Sequence, residues 1–246
     1  MSGHSKWNNI KRKKEKTDGE RAKIFTKLGR EITVIVKMGG ADPGSNARLS
    51  DIIAKAKSNN MPNDNIQRCI KKAAGDGDND NYEEIVYEGY GPAGVAVMVS
   101  TLTDNRNRTA ADMRHYFDKY GGNLGMSGCV SFMFERKGII AVEKESVSDE
   151  DELTMAALEA GALDIKDSDD CFEIITESDD VWNVREALEN AGITILDSED
   201  ARVPVTTVTL TDEEHIKNMN KLIEMLEDDD DVQDVYHNWD MPEDEE

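Results

Sequence analysis

Residues 139–197 read IIAVEKESVSDEDELTMAALEAGALDIKDSDDCFEIITESDDVWNVREALENAGITILD, and the order of periodicities within them decides the fold. The apolar run at 139–143 predicts a strand. A helix follows over 151–160, stopped by Gly161, then strands near 163–166 and over 171–177. A second helix over 180–191 is stopped by Gly192, and a last strand lies near 193–197. Helical spacing closed by a glycine that can turn left-handed, set between short β-rich runs, carries each assignment. The order βαββαβ is that of a ferredoxin-like sandwich, with helices on an antiparallel sheet.

The flanks on both sides use the same grammar. Glu84 to Glu88 and Val95 to Leu102 read as strands around the Gly-Pro turn of Gly89 to Gly94. A helix follows with Ala110, Met113, Phe117 and Tyr120 on one face, a Thr109/Asp112 capping box and Gly121-Gly122 as its stop. Cys129 to Phe134 reads as the next strand. After the central run, Thr206 to Leu210 reads as a strand, and Thr211/Glu214 caps a helix carrying Ile216, Met219, Ile223 and Leu226. Val232 to His237 closes the chain as a strand. The expectation is an α+β protein in which residues 81–134 plus 204–240 form a discontinuous α/β sandwich, interrupted by the inserted ferredoxin-like domain of residues 135–203. Residues 241–246 are an acidic tail.

Residues 1–80 form a basic arm and a helical module. The arm, 1–17, is Lys-rich with almost no apolar periodicity. Ile24, Leu28, Ile32 and Ile35 then recur at helical spacing up to Gly39-Gly40. Leu49, Ile52, Ile53 and Ala56 mark a second helix ending at Asn59-Asn60. Pro62 starts a third, with Ile66, Cys69, Ile70 and Ala73 inward and Gly75 at its end.

Charge divides the chain in the same place. Residues 1–78 hold 17 Lys and Arg against 9 Asp and Glu, whereas the remainder holds 12 against 43, for a net charge of −23. A basic module on an acidic body is an electrostatic footprint for a polyanion, and the body is too far away to cancel it beyond a Debye length of ~8 Å. No apolar run approaches ~18 residues, so no membrane span is expected, and the polar N-terminus lacks the apolar core of a secretory signal. Cys69, Cys129 and Cys171 are widely spaced and read as reduced packing residues of a cytoplasmic protein.

Several motifs fail on their context. Gly89-Tyr90-Gly91-Pro92-Ala93-Gly94 matches G-x-G-x-x-G, but a β-rich run follows where a dinucleotide site needs a helix N-terminus, so it reads as a hairpin turn. Asp76, Asp78 and Asp80 have calcium-loop spacing, yet Asn81 and Tyr87 stand where Gly and Glu are required. Asp228 to Asp231 reads as a solvated acidic turn. His4, His115, His215 and His237 make no ligand or base–nucleophile pair. The expectation is no enzyme, no metal, no cofactor and no small-molecule substrate.

Two segments stand out. Gly3-His4-Ser5-Lys6-Trp7, running on to Lys11-Arg12-Lys13-Lys14, interleaves an aromatic with cations, as arms that track backbones and stack on bases do; the alternative is a solubilising tail. Thr103-Asp104-Asn105-Arg106-Asn107-Arg108-Thr109 sits between a strand and a helix, so Arg106 and Arg108 form either an anion site or salt bridges between domains.

These two segments, with Lys23-Ile24-Phe25-Thr26-Lys27, Tyr87-Glu88-Gly89-Tyr90-Gly91-Pro92, Gly121-Gly122-Asn123-Leu124-Gly125 and Val235-Tyr236-His237-Asn238, resemble the YebC/PmpR family over nearly the whole chain. The linker and the tail are more acidic than that pattern. The resemblance implies three domains around a central cavity and a DNA-binding transcriptional regulator. Relatives that act in translation, mitochondrial activators among them, make a ribosome-associated factor binding structured RNA the alternative. The residues expected to contact nucleic acid are His4, Lys6, Trp7, Lys11, Arg12, Lys13, Lys14, Lys23, Lys27, Arg106 and Arg108. The sequence tilts against a helix-turn-helix reader, since no three-to-four-residue Gly turn and no basic recognition helix are evident. A flexible aromatic-cationic arm suits irregular RNA at least as well as a duplex groove.

Overall fold

The stripe that begins at Ile24 forms α1 (Asp18–Gly39) in the computed structural model, which describes residues 18–75, 82–168 and 171–241. Gly40, at φ +90°, ends it. Asn46 then does two jobs. Its side-chain oxygen accepts from Leu49 N (3.2 Å) to cap α2 (Ala47–Ser58), while its amide donates to Ile35 O (3.2 Å) and Gly40 O (2.9 Å). Pro62 stands as the cap of α3 (Asn63–Ala74) rather than inside it. Leu28, Ile32, Ile35, Leu49, Ile52, Ile66 and Ile70 form one buried cluster, each side chain contributing about 1.5–3 kcal/mol by leaving water. Only residues 59–62 separate α2 from α3, with Asn60 left-handed at φ +59°. The connection holds no glycine, as the sequence indicated, and Asn60 takes the left-handed position that a Gly would fill.

The central run folds as β4 (Phe134–Glu143), α5 (Glu150–Ala160), β5 (Asp164–Asp167), β6 (Cys171–Glu177), α6 (Val181–Asn190) and β7 (Ile195–Pro204). The sheet order is β5-β6-β4-β7, with β4 and β5 both antiparallel to β6. That is the ferredoxin-like order. Ile140, Val142, Phe172 and Ile174 bury against Leu153 and Ala157 of α5 and Val181, Val184 and Leu188 of α6. Gly161 and Gly192 end the two helices left-handed.

The outer segments supply β1 (Glu83–Tyr90), β2 (Ala96–Thr103), α4 (Arg106–Lys119), β3 (Asn123–Leu124), β8 (Val208–Thr209), α7 (Glu213–Asp228), β9 (Val232–His237) and β10 (Trp239–Asp240). Their main sheet has the order β3-β1-β2-β9. The β1–β2 connection at Gly91 to Val95 is a hairpin turn, with Gly91 N donating to Val95 O at 2.7 Å. Val97 and Val99 of β2 bury against Phe117 of α4 and Met219 and Leu222 of α7, while Ala96 and Met98 meet Val130 and Phe134 on the other face.

Five local expectations fail. Cys129 to Phe134 is not a strand but a loop and a 3-10 turn, and the chain enters β4 only at Phe134. Asn105 caps α4 in place of Thr109, and Asp212 caps α7 in place of Thr211. Thr206 to Leu210 yields only β8, which leaves the main sheet to pair in parallel with β10. Met241 packs against the core rather than joining an acidic tail.

The chain divides into two compact units, Met1–Gly77 with Arg136–Arg202, and Asp78–Glu135 with Val203–Glu246. The first holds the separate cores of the helical module and of the insert.

Candidate nucleic-acid interface

The Thr103 to Thr109 segment is organised by one buried carboxylate. Asp231 Oδ2 accepts from Arg108 Nη2 (2.6 Å), Thr109 Oγ1 (2.9 Å) and Thr103 Oγ1 (3.0 Å). Thr109 Oγ1 lies 2.8 Å from Thr103 Oγ1, Thr103 accepts from Asn105 N at 2.9 Å, and Asn105 Oδ1 accepts from Arg108 N at 3.1 Å. Burial pushes the Asp231 carboxyl up, but the hydrogen bonds from Arg108, Thr109 and Thr103 bring it below the usual range. The same bonds raise the Arg108 guanidinium, first through Asp231 and then through Asp104, which accepts from it at 2.9 Å.

The two arginines therefore part company. Arg108 is engaged on both sides by carboxylates of its own unit, so the salt-bridge alternative describes it, within one unit rather than between domains. Arg106 is exposed, makes no ion pair among the described residues, and feels the Tyr87 phenol together with Arg114, two turns along α4. The acidic turn is likewise not fully solvated. Asp231 is buried, and Asp229 accepts from Tyr116 OH (3.1 Å) and Asp231 N (2.8 Å). Burial and then Asp229 push the Tyr116 phenol up to about 12.

On α1, Lys23 is exposed and Lys27 half-buried, and each has a partner within the chain. On α3, Ile66, Ile70 and Ala73 point inward, while Gln67, Arg68 and Lys71 are exposed. His4, Lys6, Trp7, Lys11, Arg12, Lys13 and Lys14 lie outside the described residues, as does the Asp76 to Asn81 run. Among the described residues no helix is long and apolar enough to cross a membrane, and no group of three His, Cys, Asp or Glu could hold a metal ion.

Sequence reasoning passed over one loop. Glu88, 5% exposed, points from β1 into the chain after β3. Its carboxylate accepts from Gly128 N (2.7 Å), Val130 N (2.9 Å) and Ser131 N (2.8 Å), and from the Ser131 side chain. Burial raises this carboxyl and the backbone donors more than reverse it. A signal was available: no charged residue and no His falls between Tyr120 and Phe134.

Known proteins share this construction. Residues 5–76 match the TACO1/YebC protein N-terminal domain, and residues 82–239 match the TACO1/YebC second and third domain. A probable transcriptional regulatory protein of Acetivibrio thermocellus is 61% identical over 239 residues, covering 97% of this chain and 99% of that one. Another, from Ruminiclostridium cellulolyticum, is 61% identical over 100% of this chain and 99% of its own. The crystal structure of a conserved hypothetical protein from Aquifex aeolicus superposes with a TM-score of 0.81 at 47% identity, over 93% of this chain and 94% of that one. With both domain descriptions matched in order and such identity along its whole length, the chain belongs to the TACO1/YebC family.

Proposed function

We propose that the chain is a non-catalytic, cytoplasmic regulator of gene expression that binds nucleic acid, with duplex DNA as its target. The observation that carries this reading is the α2–turn–α3 unit. A four-residue connection leads into a helix that buries one face and exposes Gln67, Arg68 and Lys71 on the other. A recognition helix in a major groove needs that arrangement, since Gln pairs with adenine edges and Arg with guanine. The excess of cations in residues 1–78 supplies the phosphate attraction, and the name shared by the relatives agrees with it. Arg106 adds a further cation on the second unit. The second reading, structured RNA on the ribosome, is favoured by the Glu88-held loop.

Crosslinking in cells followed by sequencing of the bound nucleic acid separates the two. Recovery of defined promoter sequences, with Arg68→Ala/Lys71→Ala lowering their recovery, supports the DNA reading. Recovery of ribosomal RNA, with all duplexes bound alike in vitro, overturns it.

A further inference from the structure

The loop after β3 shows large apolar side chains where the chain could hide them. Met126 is 84% exposed and Phe132 75% exposed. Phe132 stands between inward anchors, with Val130 and Phe134 buried in the core behind it. The loop is not free to fold over its own apolar groups. Besides the Glu88 clamp, Gly125 N donates to Glu88 O (2.8 Å), and Tyr90 OH donates to Cys129 O (3.1 Å). At its root, a Cβ on Gly122 would lie 2.6 Å from Tyr90 O, so loop and strand touch backbone to backbone.

Charge decides what such a loop can meet. Residues from 79 onward hold 12 Lys and Arg against 43 Asp and Glu, a body that repels phosphates. The loop itself, residues 121–133, carries neither carboxylate nor cation, so what it offers a nucleic-acid strand is an apolar contact for the strand's uncharged part, the base. We infer that Phe132 is a stacking platform for an unpaired RNA base, with Met126 as the flanking apolar contact. This rests on the second reading above, RNA as the nucleic acid bound. An exposed ring on a clamped backbone has little freedom left to lose when a base lies on it, and stacking takes any base that is not already stacked in a duplex.

The experiment uses the full chain, a single-stranded RNA oligonucleotide without secondary structure, and a DNA duplex of equal length, at one salt concentration. Phe132→Leu keeps the apolar bulk and removes the π face. It is expected to weaken the single strand about tenfold and the duplex less than about twofold. Phe132→Trp is expected to keep the affinity and to show fluorescence quenching by RNA beyond that of the wild type. Phe132 is solvent-exposed, so both variants retain the fold, checked by unchanged circular dichroism. If Phe132→Leu binds the single strand as the wild type does, or the Phe132→Trp indole is not quenched, the platform is refuted while the nucleic-acid reading stands. If the wild type binds neither probe, both fall.

Discussion

Removing the Asp231 carboxylate is the sharpest test of the claim that the Thr103 to Thr109 segment is held by the fold. The Asp231 side chain is 8% exposed and that of Arg108 is 47%. Asp231→Ala strips a shared acceptor from one guanidinium and two buried hydroxyls. Hydrogen bonds to a charged group contribute about 1.5–3 kcal/mol each, and a broken buried pair costs about 3–5 kcal/mol. Arg108 can turn to water and to Asp104, and the freed Thr109 hydroxyl can donate to Thr103, so the expected loss is about 2–4 kcal/mol. Arg108→Ala leaves Asp231 with both hydroxyls and should cost about 1–2 kcal/mol. Arg106→Ala should change stability by less than about 0.5 kcal/mol. Urea denaturation followed by circular dichroism measures all three. The pH dependence has a definite sign. A carboxyl whose folded pKa lies below its unfolded ~3.9 stabilises above that pH, and the contribution is lost as pH falls through the folded value. The gap between wild type and Asp231→Asn should therefore be full near pH 7 and close at acid pH. Equal losses for Arg106→Ala and Arg108→Ala, or a neutral Asp231→Ala, would refute the reasoning.

If Lys11, Arg12, Lys13 and Lys14 contact phosphates, changing all four to Ala should reduce the slope of log K against log salt by ~3–4 on DNA, measured by fluorescence anisotropy; an unchanged slope makes the arm a solubilising tail. Asp51 is half-buried, and its carboxyl is pushed up by burial, then by Asp179 and Asp200. Its ionised form is thus the disfavoured one, so Asp51→Asn should raise the melting temperature at pH 7, with an advantage that shrinks as pH falls and Asp51 takes up its proton. Gly138→Ala would drive a methyl into Thr176 and Val181 and should destabilise the insert by about 1–3 kcal/mol in urea titrations.

The insert was legible because each of its decisions is local. Ile140 and Val142 of β4, Leu153 and Ala157 of α5, and the left-handed Gly161 and Gly192 act within a few residues of where they stand. The loop before β4 was not legible, because its outcome is decided from a distance. Cys129 to Phe134 has a strand's apolar content, yet Glu88 takes its backbone donors from 40 residues or more away. Thr109 looked like a cap for the same reason, since nothing nearby reveals that Asp231, 122 residues on, claims its hydroxyl. Of the candidate site, Arg106 and Arg108 were found together, but their separate fates depended on that same distant residue. Asn60 is a third case: a left-handed turn position filled by a residue other than glycine.

One neighbour of β2, the strand β9, is also the last strand of its sheet to be made. Ala96 N donates to the Asn238 side chain across 142 residues, and β9 completes the edge of β2 along Val97 to Thr101. At about 5–20 residues per second of synthesis, that edge waits roughly 7–28 s for its partner on a growing chain. During the wait, Ala96-Val97-Met98-Val99 is an apolar, uncharged, proline-free segment with open backbone donors and acceptors, the composition that recruits other strands. The nascent protein is thus most exposed to aggregation after its insert has been made and before its last few residues emerge. Truncation just short of Val232 should turn the product into a chaperone substrate.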